Sequence, residues 1–205
     1  MRAGAITLLS HVTSPDKPVA RRAVLSRRDA MAADARELAS TRIGERVIEL
    51  LAPIHRGAIA LYAPKGSEAG TWLIDDHVRA AGGRVVYPRI ADGTRVLEFH
   101  EVAPEQLVAS RFGLREPRAD WRNVVGIVEI AAFVIPGLAF DRSGGRIGWG
   151  HGHYDATLAT AAPTALRIGV AFECQLLDDP IAREPHDIAL HYIVTEAATY
   201  RTPET

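Results

Sequence analysis

Only one cysteine, Cys174, occurs in the chain, so no internal disulfide can staple the fold, and nothing stands near it at zinc-ligand spacing. A lone thiol of this kind is expected to be a small core residue, and a reducing cytoplasm suits it. An excess of charge is missing as well: 24 Lys and Arg against 25 Asp and Glu leave a formal net charge of -1. With no run of like charges either, no field exists to gather nucleic acid, which is not expected as a partner. Long apolar runs are also absent near the N-terminus. The longest there, Ala5 to Leu9, is interrupted by Thr7 and followed by Ser10 and His11, too short for a signal peptide or a membrane span. A cytoplasmic protein without a membrane partner is therefore expected. What is present is enough apolar material for one sizeable core, 47% of 205 residues, in a chain short for two domains. Residues 1–16 end in Thr13-Ser14-Pro15-Asp16, a turn and helix-start signal, and read as an N-terminal extension before a single domain over 17–205.

From Lys17 to about Leu51 the composition shifts to alanine, arginine and glutamate. Ala20, Val24, Ala30, Met31, Leu38, Ile43, Val47 and Leu50 stand near helical spacing, which predicts two helices. Ala58 to Tyr62 is a short apolar run stopping at Ala63-Pro64-Lys65-Gly66, the pattern of a buried strand feeding a loop. A helix is expected from Glu68 to Ala81, carrying Trp72, Leu73 and Val78 and ended by Gly82-Gly83. Arg84 to Tyr87 reads as a strand stopped by Pro88, and Val96 to Phe99 as another after the Asp92-Gly93 turn. Val124 to Ile135, broken only by Gly126 and Glu129, reads as one central strand delivering the chain to Pro136-Gly137. Beyond it a helix is expected over Tyr154 to Thr160, a strand over Leu166 to Phe172 and a last strand over Tyr192 to Val194. Such alternation implies an α/β layered domain with a largely parallel central sheet flanked by helices on both faces.

The segment GGRIGWGHGHYD, residues 144–155, carries the chemistry. It lacks the sixth-place glycine of a dinucleotide fingerprint, and no Gly-Lys pair of a Walker loop occurs anywhere in the chain. Its bare backbone at Gly148, Gly150 and Gly152 can still aim main-chain N–H groups at phosphate oxygens. Arg146 would add bidentate hydrogen bonds, and Asp155 suits a magnesium ion beside phosphate. A glycine-rich turn packed closely on a neighbour explains the same glycines without a ligand. His151-Gly152-His153-Tyr154-Asp155 also resembles the H-x-H-x-D signature of metallo-β-lactamase-type hydrolases, although Ala156 stands where that pattern continues with histidine.

A longer match follows. Val134-Ile135-Pro136-Gly137-Leu138-Ala139-Phe140-Asp141, then Gly145 to Asp155, resembles the hallmark of the 5-formyltetrahydrofolate cyclo-ligase (methenyltetrahydrofolate synthetase) family. Further segments are similar in the right order: Lys17 and Arg21, Tyr62-Ala63-Pro64 before Glu68, Tyr87-Pro88, Leu97-Glu98-Phe99, Gly113 to Pro117, Ile168 to Phe172 with Gln175-Leu176, His186-Asp187, and Ile193 to Glu196. The resemblance implies an α/β enzyme that uses ATP and Mg2+ to convert 5-formyltetrahydrofolate to 5,10-methenyltetrahydrofolate. It implies Lys17, Arg21 and Arg146 on the ATP phosphates, with Gly148, Trp149, Gly150, His151, Gly152 and Tyr154 completing the nucleotide site. It implies Ala63, Glu68, Trp149 and His153 on the folate, Asp155 and Asp187 on the metal, and Arg146 and Lys17 as catalytic. The chain departs from the family pattern at His153, where an aromatic is usual, and at Ala156, where arginine is usual; an imidazole at 153 makes a pH-dependent substrate contact an expectation. A binding relative without catalysis is the alternative within the family, and a monomer is expected.

Overall fold

The structure, a computed structural model, describes residues 17–203; the extension expected over residues 1–16 lies outside them. Two helices come first, α1 (Lys17–Asp29) and α2 (Ala33–Leu51). They are followed by strand β1 (Ala58–Ala60), helix α3 (Trp72–Ala80), and strands β2 (Arg84–Ile90) and β3 (Leu97–Glu101). A small hairpin, β4 (Val108–Ala109) with β5 (Arg115–Glu116), precedes β6 (Val124–Val125) and β7 (Ile130–Ile135). A second hairpin, β8 (Ala139–Asp141) with β9 (Arg146–Ile147), leads to α4 (His153–Leu158). The chain closes with β10 (Leu166–Val170), β11 (Leu176–Leu177), β12 (Tyr192–Val194) and β13 (Thr199–Arg201).

Eight strands form the main sheet in the order β13-β12-β10-β7-β1-β2-β3-β6. The five from β12 to β2 are parallel, and β13, β3 and β6 are antiparallel additions at the two edges. Alternation along the strands sorts side chains into two cores. Ile59, Leu61, Val85, Tyr87, Ala132, Val134, Ile168 and Val170 meet Ala39, Ile43, Val47 and Leu51 of α2 and Ile74 of α3. Ala58, Ala60, Val86, Phe133, Ile135 and Ile193 face the other way, against Phe99, Phe140 and Leu158 of α4. Helices therefore cover both faces, as the alternation of elements predicts. The α2 stripe repeats every four residues, and Gly44 beside it lets Leu73 of α3 approach, since a Cβ there would stand 3.1 Å from Leu73 Cδ2.

Several boundaries differ from expectation, four of them for a clear local reason. The helix starts at Trp72 rather than Glu68, because the preceding corner is held in another shape: Tyr62 Oη donates to Ala69 O at 2.7 Å and Gly70 N to Ser40 Oγ at 2.9 Å. β2 passes through Pro88 to Ile90. Its partner β1 ends opposite Val86, so at Pro88 only β3 adjoins the strand and the missing N–H can face the open side. The apolar run 124–135 is two strands, β6 and β7, parted by a turn in which Gly126 N donates to Glu129 Oε1 at 3.0 Å; the two residues that break the run in sequence break it in space. Finally, β12 is followed by β13, whose Thr199, Tyr200 and Arg201 pair back on it.

The parallel strands run outward in opposite directions from the β1/β7 pair: β1 leads to β2, and β7 to β10 and β12. Where crossovers diverge in this way, a crevice opens beyond the carboxyl ends of the strands.

Candidate active site

That crevice is a cleft of about 540 Å³. Residues following β1 (Tyr62, Ala63, Lys65, Glu68) and β7 (Pro136, Gly137) and residues in the last part of β2 (Pro88, Ile90) line it, together with the glycine segment and α1. Every residue singled out from the sequence reaches it: Lys17, Arg21, Ala63, Glu68, Arg146, Gly148, Trp149, Gly150, His151, Gly152, His153, Tyr154, Asp155 and Asp187.

The glycine segment takes its shape from a residue with no expected role, Asp141. Buried at the end of β8, its carboxylate accepts from Ser143 N at 2.7 Å, Gly145 N at 3.0 Å and Ile181 N at 2.6 Å. These bonds fold the turn that returns the chain along β9 and point Arg146 into the cleft. The Arg146 Nη2 lies 2.9 Å from Asp155 Oδ2, and its guanidinium carbon sits 5.5 Å from the Tyr154 ring centroid. Gly148 is needed for this placement, because a Cβ there would stand 2.8 Å from Arg146 Nη1. Gly150 and Gly152 hold φ of 95° and 70°, the left-handed region that L side chains avoid. The sharp reversals wrap the backbone around the cleft wall before α4 begins.

From α1, Arg21 Nε donates to Gly148 O at 2.9 Å, fastening helix to segment. Lys17 Nζ stands 3.2 Å from Glu184 Oε1 and 3.5 Å from Asp187 Oδ2. The turn carrying those carboxylates is closed by Glu184 N donating to Asp187 Oδ2 at 2.8 Å. The Ile188 N donates to Asp155 Oδ1 at 3.3 Å, bringing the 184–188 turn against Asp155. Asp155 and Asp187 thus sit among cations on the cleft wall. A magnesium ion takes one or two carboxylates and completes its shell with phosphate oxygens and water, and this donor set fits it.

Elsewhere on the cleft wall Glu68 accepts from Lys65 N at 3.0 Å. Burial pushes its carboxyl above the usual carboxylate range, and that bond, Arg28, Lys65 and Trp149 offset the rise only in part. Two tyrosines close the wall behind it, and burial raises both phenols far above their ordinary value. Lys65 Nζ donates to Phe112 O and lies 5.5 Å from the centroid of the Trp149 ring. Phe112 has φ 62° at the tip of the β4–β5 loop and stacks on His151, with ring centroids 5.7 Å apart. His153 Nδ1 lies 2.9 Å from Arg95 O; a carbonyl only accepts, so Nδ1 carries the proton. Lys65, Phe112, Arg115, Glu184 and His186 also line the cleft and were not expected there. Phe112 follows from no sequence rule, because φ above zero at a phenylalanine is set by its tertiary partners.

The model of the 5-formyltetrahydrofolate cyclo-ligase family matches residues 13–196. The chain belongs to the 5-formyltetrahydrofolate cyclo-ligase family. A cyclo-ligase of Mycolicibacterium smegmatis is 41% identical over 141 residues, 67% of this chain and 72% of its own length. That of Escherichia coli is 29% identical over 147 residues, 69% of this chain and 79% of its own. The 5,10-methenyltetrahydrofolate synthetase of Aquifex aeolicus, solved by NMR, superposes with a TM-score of 0.72 at 26% identity, covering 92% of this chain and 94% of that one. The Mycoplasma pneumoniae synthetase shares the fold, with a TM-score of 0.73 at 24% identity over 88% of this chain and 99% of that one. Membership makes the chain a cyclo-ligase of folates by class and accounts for the glycine segment better than the metallohydrolase pattern does. In that pattern zinc needs three protein ligands, whereas among the described residues no group of three His, Cys, Asp or Glu could hold a metal. Asp155 is instead engaged by Arg146, and His153 by the Arg95 carbonyl. The described residues include no helix long and apolar enough to cross a membrane.

Proposed function

We propose that the chain converts 5-formyltetrahydrofolate and ATP into 5,10-methenyltetrahydrofolate, ADP and phosphate, with Mg2+ held by Asp155 and Asp187. One observation carries this reading: a single cleft is lined both by a group of cations, Lys17, Arg21 and Arg146, and by a buried carboxylate, Glu68. A pterin offers adjacent ring and exocyclic N–H donors, and a carboxylate accepts both. Glu68 would so orient the ring, with Trp149, Ala63 and His153 packing on the substrate. His151, Tyr154 and the backbone of Gly148, Gly150 and Gly152 complete the nucleotide side.

An N-formyl oxygen is a poor leaving group until phosphorylated. The formyl oxygen attacks the γ-phosphorus and ADP departs; N10 then attacks the formyl carbon, loses its proton, and phosphate leaves with the former formyl oxygen. Both steps gather negative charge on phosphoryl oxygens, which fixed cations stabilise without reorganising. Arg146, largely enclosed beside Tyr154, and Lys17 serve as those catalytic cations. When bound, the metal would neutralise phosphate charge, and the carboxylates that now engage Arg146 and Lys17 would turn to it, freeing both cations for the transferring group. Every group named comes from one chain, so a monomer suffices.

The test is the absorbance of the methenyl product from purified protein, 5-formyltetrahydrofolate, ATP and magnesium. Product that requires ATP and is lost in Asp155→Ala is the expected result. Tight ATP and folate binding without product would support a binding relative instead.

A further inference from the structure

Helix α1 reaches two parts of the cleft wall. It carries Lys17, Arg21 and Arg28 on thirteen residues, and at 3.6 residues per turn the three fall within roughly 40° of one another around the axis. Lys17 and Arg21 line the cleft; Arg28 does not. It is 3% exposed, and arginine is almost never so buried unless paired. Its Nε donates to Ser67 Oγ at 2.9 Å, and Ser67 Oγ in turn donates to Asp29 Oδ1. Its Nη1 is buried without a hydrogen-bond partner, a costly arrangement that an apolar side chain of similar volume would avoid. The corner it holds is the one immediately before Glu68.

We infer that Arg28 is a positioning residue that clamps the Ser67–Glu68 corner to α1, so that seating phosphates on Lys17 and Arg21 and presenting Glu68 to the folate ring are one adjustment of one helix. The inference rests on the assignment of Glu68 to the folate made above. It makes the two substrates cooperative, since whichever binds first fixes α1 for the other.

The experiment compares the native chain with Arg28→Gln, Arg28→Lys and Ser67→Ala. The measurements are kcat, KM for each substrate, the melting midpoint, and the folate Kd with and without a non-hydrolysable ATP analogue. In the native chain the analogue tightens folate. In Arg28→Gln the folate KM rises about ten-fold or more, the scale of one charge-assisted hydrogen bond, while the ATP Kd moves less and the analogue no longer tightens folate. Arg28→Lys, which restores one donor, recovers part of the loss. Ser67→Ala keeps the guanidinium and serves if Arg28→Gln does not fold; it raises the folate KM too, and the double variant adds little to either change. The inference is overturned if the analogue does not affect folate in the native chain. It is equally overturned if Ser67→Ala and Arg28→Gln lower the melting midpoint but leave folate KM unchanged, or if both substrates weaken equally. A native chain that neither binds nor converts folate sinks the assignment of Glu68 first and this inference with it, whereas native turnover with unaltered variants removes this inference alone.

Discussion

Two parts of the cleft wall handle charge in opposite ways. At the proposed phosphate site each carboxylate already has a cation: Asp155 has Arg146 at 2.9 Å, and Asp187 has Lys17 at 3.5 Å. At the proposed folate site Glu68 is pushed up by burial, which its surrounding donors and cations do not fully offset. Paired charges can trade partners when a charged ligand arrives, at small net cost, because ions stay matched throughout. A carboxylate that is costly to ionise instead waits for donors supplied by the ligand, so part of the substrate's binding energy relieves an existing penalty. One site is arranged for exchange and the other for selection.

The largest effect should come from removing a cation at the exchanging site. Arg146→Ala is expected to lower kcat by about 10²–10³-fold, the usual loss for one fixed donor to a developing anion, with the folate Kd nearly unchanged. A folate Kd that weakened in step would erase the contrast between the two sites. Next, Glu68→Gln should lower kcat/KM for folate by about ten- to a hundred-fold, as expected when a hydrogen bond to a charged group is lost, leaving ATP binding little altered.

The same substitution tests the burial penalty in a folding experiment. A carboxyl whose folded pKa lies above its unfolded one destabilises the fold once it ionises, so the cost is present above the folded pKa and vanishes below the unfolded one. Glu68→Gln should therefore melt higher than the native chain at neutral pH, with the advantage fading in acid. The acid limb of kcat/KM for folate in the native enzyme should lie above the ordinary carboxylate range. Equal melting curves at both pH values would count against the penalty.

Smaller effects probe the glycine segment. Gly150→Ala should cost about 1–2 kcal/mol of stability, because its φ is 95° and a Cβ would lie 3.4 Å from an Arg21 guanidinium nitrogen; denaturant melts would show it. His153→Tyr should change kcat by less than about three-fold, since it alters one edge contact and leaves the charges alone.

Much of this was legible before any coordinates. Strand-helix alternation gives the layered sheet, and the family resemblance brings the separated Lys17, Glu68, Arg146 and Asp187 to one cleft. What was not legible depends on tertiary context. Pro88 continues a strand because its inner neighbour has already ended, a fact about β1 rather than about Pro88. Asp141 reads as one more motif residue, yet its carboxylate organises the whole turn behind Arg146. Phe112 and Lys65 meet across the cleft from elements 47 residues apart, and no local period couples them.

The β1/β7 pair has a consequence for how the molecule comes into being. Its register joins Ala58 to Ile130, so during synthesis β1 must wait, with one edge bare, until more than a third of the chain has followed it. Pairings of such long sequence separation close late, because loop entropy is lost before contacts compensate it. A nascent chain stopped before β7 exposes a sticky apolar edge and is the form most in need of a chaperone. The crevice opens where that seam closes, so a newly made chain has no catalytic site to offer until its slowest pairing is complete.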